Sequence, residues 1–459
     1  MSSRPARPAP AGLLAFLRLA VTAALLALAP VAAAQAQQVG IIRDAEAEAM
    51  IRAFSTPLLR AAGIERTPNI VIVNDRRFNA FVTEDGSIYV NYGTILDSAT
   101  PAGLKAVLAH EIGHLAGGHI ARLREQTELR AQVQAFSMLL GIGAVAAASG
   151  SGNSGEISQM ASAFILASQS AGLNSLIAYR QSEESAADAA ALRLLDAAGQ
   201  PTRGLVDTLQ VLARNQVAGS AAGGYLSTHP LAQDRITQVE TAARATSGWS
   251  RSDSAGDVRM LAMVQAKLSG FLEATATVTN RFPNSDGSLP ARYARTIAAY
   301  RAGGGVGALN VMPSLIAEAP SNPYLRELYG QMLYELGQPA AALDPLRRAV
   351  ELAPAETQIR ILYGQALIGA GGAVNLNEAV LQLKRSAVAE PGNARIHTLL
   401  AQAHGALGQQ GEATLAAAEA ALARREMSTA FGLARQALGQ LPQGSPSWLR
   451  ANDILALNR

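Results

Sequence analysis

The feature that most restricts what this chain can fold into is a period. Tyr329-Gly330-Gln331 returns as Tyr363-Gly364-Gln365, Gly337 as Gly371 and Pro320 as Pro354, each displaced by 34 residues. A third copy places Pro391 and Gly408 at 37 residues from Pro354 and Gly371. A unit of this length cannot bury a core of its own and has to stack on its neighbours. In each copy the first predicted helix carries a Tyr/Leu/Ala face, a Gly allows a tight turn, a second helix carries small alanines, and Pro ends the unit. The three extra residues of the third copy are assigned to a loop containing Ala373 to Asn377, where helix packing stays intact.

The pattern resembles the tetratricopeptide repeat, strongly over residues 320 to 415 and more weakly over Ala291 to Ala319 and around Trp448. The resemblance implies an α-solenoid whose concave face takes extended peptides or partner proteins. His397 and His404 fall seven residues apart, about 10 Å along a helix. That is too far to share one metal ion, so they read as packing or surface histidines.

At the other end, Arg4, Arg7 and Arg18 precede an apolar run from Leu19 to Val31, followed by Ala34-Gln35-Ala36. Residues 1–36 are thus expected to be a secretory signal, too short in its apolar part to span a bilayer. Those three arginines are 3 of the 38 basic residues, and the stretch holds none of the 35 acidic ones. The remainder is therefore balanced, without basic runs, which argues against nucleic acid as a partner. Zero Cys excludes disulfides, thiolate nucleophiles and cysteine-ligated metals. With 459 residues, 49% hydrophobic, there is material for two to four domains. Two further apolar stretches, Val133–Ala148 and Met160–Ala167, flank a Gly/Ser-rich turn, and neither reaches spanning length. They read as a buried helical hairpin, or as a lid or peripheral membrane contact within 133–167.

The chemistry sits in His110-Glu111-Ile112-Gly113-His114. Ser98 or Thr100 can cap a helix, Pro101 suits its first turn, and Leu104, Val107 and Leu108 supply an apolar stripe. His110 and His114 then share a face one turn apart and can reach one zinc ion, with Glu111 placed as general base. A third His at position 120 would complete a longer helix motif, but that residue is Ile120, and His119 is one place early. The other source of a third ligand is a carboxylate on a second helix. Glu184-Ser185-Ala186-Ala187-Asp188 offers Glu184 as ligand and Asp188 as acceptor for the outer N–H of a ligating His. Spacing alone leaves Glu183 as a rival, since adjacent helical side chains diverge by about 100° and only one can face the ion.

Taken together, the His110–His114 motif, the string Glu184 to Asp188, and His229-Pro230 followed by Arg235-Ile236 resemble the CAAX-prenyl-protease-like family of zinc metallopeptidases, and within it exported members bearing repeats. The resemblance implies a mainly α protein: a zincin-type α+β (gluzincin) domain with a small β-hairpin or sheet over residues 37–250, a helical connector at 251–290, and repeats at 291–459. It implies one zinc ion per chain on His110, His114 and Glu184, with Glu111 as catalytic base, and it selects Glu184 over Glu183 because Ala187-Asp188 matches the family's pair. Where the family often has Arg three positions before the ligand Glu, this chain has Gln181, with Arg180 one earlier.

Independently, Asn79-Ala80-Phe81-Val82 and Gly86 to Asn91 read as a hairpin turning at Glu84-Asp85-Gly86. Its edge could align substrate by strand addition through Asn79, Ala80 and Phe81. His229 is read either as occupying the fourth zinc position or as a loop cap, and Arg235 or a nearby His as a stabiliser of the oxyanion formed when water attacks a carbonyl. The expected function is a Gram-negative periplasmic zinc endopeptidase acting on unfolded or misassembled outer-membrane protein clients, with the assembly machinery as a docking partner. The alternative is a chaperone-like adaptor with a latent peptidase. An intramembrane prenyl-protein protease is disfavoured, because no apolar segment of about 20 residues remains outside the signal.

Overall fold

In the computed structural model the described residues are 40–65, 68–83, 85–119, 121, 122, 125, 128, 179–217, 229 and 233–457. The expected signal at 1–36 and the apolar pair within 133–167 lie outside them. No described helix is long and apolar enough to cross a membrane.

Residues from Ile41 onward open on a four-stranded sheet with strands β1 (Ile41–Ile42), β2 (Ile70–Val73), β3 (Ala80–Val82) and β4 (Ile88–Asn91), ordered β1-β2-β4-β3. β2 and β4 run parallel, Ile70 opposite Ile88, while β3 and β4 form the antiparallel hairpin expected from the alternation, Ala80 opposite Val90. Gly86 turns it in the left-handed region at φ +80°, and Asp85 accepts from the Ser87 amide. The strand Ile-Val-Ile-Val of β2 packs its buried side chains against helix Ala45–Ala61.

The helix carrying the histidines spans Pro101–Gly117. Thr100 accepts from the Gly103 amide at 3.1 Å, Pro101 occupies the first turn, and Gly118 ends the helix at φ +64°. The apolar stripe expected at Leu104, Val107 and Leu108 is wider than that: every residue from Pro101 to His114 is buried, so this is a core helix enclosed on all sides. Lys105 is buried with it and donates to Asp257 (2.7 Å) and Gln200 (2.6 Å). A second helix, residues 179–197, crosses it where Gly113 meets Ala187 and Ala190. A Cβ on Gly113 would lie 2.9 Å from the Ala187 carbonyl oxygen, so the absent side chain sets how closely the two helices approach.

Helices Ala255–Leu272 and Thr275–Arg281 lead into five helix pairs running from Leu289 to Ala456. Helix Ala255–Leu272 contributes Leu261, Val264 and Leu268 to the core around the histidine helix and Met263 and Ala266 to the first repeat core, so it belongs to both. Gly303, Gly337, Gly371 and Gly408 hold positive φ at equivalent turns, which explains why the period is marked by glycine. Arg326 donates to the Pro320 carbonyl (3.2 Å), Arg360 to that of Pro354, and His397 to that of Pro391 (2.9 Å), one clasp repeated at the same register. His404 bonds Gln409. Both histidines therefore have packing roles in the solenoid. The three-residue insertion is not in a loop, contrary to expectation: Ala373 to Asn377 are helical, and helix Ala373–Ala389 has 17 residues against 14 in Pro339–Leu352. Three residues make nearly one helical turn, so lengthening the helix preserves its buried face.

The first helix is bound to the repeats by buried charge. Lys267, 3% exposed, lies 2.7 Å from Asp44, 3.2 Å from Glu327 and 3.7 Å from Glu46, and the Tyr293 hydroxyl donates to Glu46 at 3.2 Å. Arg43 to Glu390 (2.9 Å) and Arg52 to Glu356 (3.0 Å) add partly exposed pairs of smaller weight. Burial pushes the Glu46 carboxyl up to about 7, against the pull of Lys267.

Because the folded state holds the Glu46 proton more tightly than the unfolded chain does, the stability it contributes is complete below about pH 4.5 and is lost as pH rises through about 7. The difference amounts to as much as about 3 kcal/mol. Glu46→Gln is expected to flatten that part of the melting-temperature profile, and parallel profiles for variant and wild type would refute the assignment. At the helix crossing, Gly113→Ala is expected to leave the circular dichroism spectrum native while moving residues 184 and 188 away from His110. Unchanged affinity for divalent metal ions in that variant would show that the crossing has slack.

Candidate metal centre

Three elements meet over the buried histidines. The Pro101–Gly117 helix supplies His110, Glu111 and His114; helix 179–197 supplies Glu183, Glu184 and Asp188; His229 and helix Gln233–Arg244, carrying Arg235, close the third side. One ligand atom from each of His110, His114, Glu184 and His229 lies within 4.8 Å of the others, and all four residues are buried. The separations are short. His110 Nε2 is 3.0 Å from His114 Nε2, 3.3 Å from His229 Nδ1 and 3.3 Å from Glu184 Oε2; Glu184 Oε1 is 3.3 Å from His114 Nε2 and 2.9 Å from His229 Nδ1. Donors at 2.0 to 2.1 Å from a tetrahedral zinc ion stand about 3.3 Å apart. The donor set and its spacing therefore fit a divalent cation of that size.

Proton bookkeeping points the same way. An ionised carboxylate only accepts, so His110 donates Nδ1–H to Asp188 at 2.9 Å, and in the neutral ring Nε2 turns a lone pair toward the cluster. Burial lowers the His110 pKa, but Asp188 and Glu184 outweigh it and raise it to about 10, so a cation binding at Nε2 displaces a proton. Burial holds the His114 ring down at about 4, leaving it neutral at pH 7. Burial raises the carboxyls of Glu184 and Asp188, yet both end lowered: Glu184 by the imidazoles of His110, His114 and His229 around it, Asp188 by Arg235 and His110. Glu111 stays outside the ligand set, buried, with Oε1 3.4 Å from His229 Nε2, and burial raises its carboxyl. A carboxylate raised in this way is a better base.

Other expected residues land as follows. Glu183 turns away from the cluster, as the 100° divergence requires, to Arg122 (2.9 Å) and His119 (3.1 Å). Arg235 donates from Nη2 to Asp188 (2.9 Å), bonds the same carboxylate through Nε, and places Nη1 3.0 Å from Glu184. Its guanidinium thus braces two carboxylates behind the histidines. β3 packs on the histidine helix at the end of the sheet, with Phe81 stacked on Tyr89 at 4.9 Å. Asn79 departs from the substrate-strand expectation. Its backbone N–H donates to Thr94 Oγ1 and its carbonyl accepts from that hydroxyl and from the Asn91 amide, so it cannot extend a ladder. His119, which follows Gly117-Gly118 and is read from the sequence as packing or hydrogen-bonding near the site, lies against His114 and Glu183.

Comparison with known proteins places these residues in context. Residues 43–243 match the model of peptidase family M48. The beta-barrel assembly-enhancing protease of Yersinia pestis is 24% identical over 293 residues, covering 63% of this chain and 58% of the relative. A putative beta-barrel assembly-enhancing protease of Vibrio cholerae is 29% identical over 209 residues, covering 44% and 40%. The chain thus spans between two fifths and three fifths of these relatives. A thermophilic TPR protein of Thermus thermophilus aligns over 37% of this chain and 100% of its own, at 19% identity and a TM-score of 0.24. The histidine helix, the helix bearing Glu184 and the helix bearing Arg235 all begin inside the stretch that matches peptidase family M48, and the helix pairs of 34-residue period follow it.

Proposed function

We propose that the chain is a zinc-dependent endopeptidase of the bacterial envelope, with residues 1–36 as export signal, the peptidase domain at 37–250, the connector at 251–290 and repeats at 291–459 that hold clients or partners. The observation that carries this reading is the converging set of His110 Nε2, His114 Nε2 and Glu184, spaced like the edges of a zinc tetrahedron. A zinc ion held there supplies a Lewis acid that polarises a peptide carbonyl and makes water acidic enough to deprotonate. Glu111 takes the proton of the attacking water and passes it to the leaving amine, a role suited to a buried carboxylate next to the ligands. Asp188 and Arg235 hold His110 and Glu184 in place. Ala80 and Phe81 guide an extended substrate along β3.

His229 is the fourth member of the donor set and so stands where substrate has to enter. This favours a resting enzyme that opens when His229 withdraws. The relatives' name, beta-barrel assembly-enhancing protease, supports clients among β-barrel proteins; on our reading these are misassembled outer-membrane barrels, degraded in the periplasm. The occupied fourth position equally supports the second reading, an adaptor for barrel assembly whose peptidase is mostly latent.

Purified protein is expected to contain one zinc per chain and to digest casein in a chelator-sensitive manner, with Glu111→Gln lowering the rate by about 10²- to 10⁴-fold. Zinc-free protein whose activity ignores chelators would end this reading. Cells carrying Glu111→Gln that keep full barrel assembly would favour the adaptor. His229→Ala is expected to raise casein hydrolysis, and a lowered or equal rate would eliminate the plugging role.

A further inference from the structure

His119 is buried, outside the ligand set, and has both ring nitrogens engaged. Nδ1 lies 2.9 Å from His114 Nδ1, and Nε2 lies 3.1 Å from Glu183 Oε2, which also receives Arg122 at 2.9 Å. Protons can be placed along this chain in one way. Glu183, ion-paired with Arg122, accepts only, so the proton on neutral His119 is on Nε2. His119 Nδ1 is then the acceptor, and His114 is the donor from Nδ1. That leaves the His114 lone pair on Nε2, the atom 3.0 Å from His110 Nε2 and 3.3 Å from Glu184 Oε1.

The backbone is shaped for this contact. Gly118 takes φ +64°, which turns the chain back over the helix end, and a Cβ on Gly117 would lie 2.3 Å from His119 Nε2. Only glycine at 117 lets the ring fold onto His114. The construction matches that on the other ligand, where His110 donates to Asp188 and Arg235 braces the carboxylate, except that a second imidazole is interposed. Helix 179–197 supplies all three carboxylates: Glu184 to the centre, Asp188 to the outer nitrogen of His110, and Glu183 to His119, which in turn meets the outer nitrogen of His114.

We propose that His119, backed by Glu183 and Arg122, is a positioning residue that locks His114 in the Nδ1–H tautomer and so prepares Nε2 for the metal ion. This rests on the zinc reading of the centre. Imidazole ligands elsewhere depend on such outer acceptors for orientation and basicity, and losing one lowers metal affinity by about 10- to 100-fold.

The test is zinc titration of the full chain against a competing chelator dye, with melting temperatures measured with and without zinc. His119→Ala is expected to weaken zinc binding by about 10- to 100-fold and to shrink the stabilisation that zinc confers. His119→Gln, whose amide oxygen accepts the same hydrogen bond, is expected to recover most of the affinity, and Glu183→Gln to fall between it and the alanine variant. In zinc-free protein, nitrogen NMR is expected to show His114 protonated at Nδ1 in the wild type and shifted toward Nε2–H in His119→Ala. Wild-type zinc affinity in both His119 variants, or equal loss of stability with and without zinc, overturns the proposal while leaving the zinc reading intact. A wild-type protein that binds no zinc removes both.

Discussion

Everything around the histidine helix depends on holding two imidazoles and a carboxylate against one another inside a buried space. His110 Nε2 and His114 Nε2 are 3.0 Å apart, with Glu184 about as near to each. A proton on His110 Nε2 offsets the repulsion among the lone pairs that face it, and a cation bound there takes the place of that proton. The cluster persists because each member is fixed from behind: His110 by Asp188, His114 by His119, Glu184 and Asp188 by Arg235. Such a site is built for a cation that makes the convergence favourable.

That requirement reaches outward into the fold. The histidine helix has to be immobile, and it is enclosed on all sides, capped at Thr100 and Gly118, with its buried amine at Lys105 satisfied by Asp257 and Gln200. Helix 179–197 has to come close enough for Glu184 and Asp188 to reach, and Gly113 against Ala187 provides the clearance. The glycine inside His110–His114 is therefore a packing residue, although it lies between chemical ones. Further out, Lys267 ties Asp44 and Glu46, at the start of the first helix, to Glu327 in the repeats. The first helix and the repeats thus share buried charge that cannot be pulled apart without stranding an ion.

Much of this was legible in the residues. The hairpin at Asn79 to Asn91 followed from alternation and a turn, and the start of the histidine helix from Thr100 and Pro101. Legibility failed where the deciding quantity was a distance between segments far apart in sequence. The insertion after Gly371 lengthened a helix because three residues nearly complete a turn. Which carboxylates Arg235 braces could not be read from its sequence context, since Asp188 and Glu184 lie on a separate helix. Asn79 was read as a substrate contact because nothing local shows Thr94 occupying its backbone.

By itself the amino-acid order determined the local terms: the period that forces stacking, the one-turn spacing that puts His110 and His114 on a common face, and the supply of carboxylates at 183, 184 and 188. These are consequences of helical geometry within a few residues. Only the tertiary structure decided which carboxylate faces inward, that His229 completes the donor set, and that His119 folds back onto His114. Those outcomes hang on the crossing of separate helices, where a fraction of an ångström at Gly113 or Gly117 decides whether two side chains touch, and no spacing along a single segment carries that information.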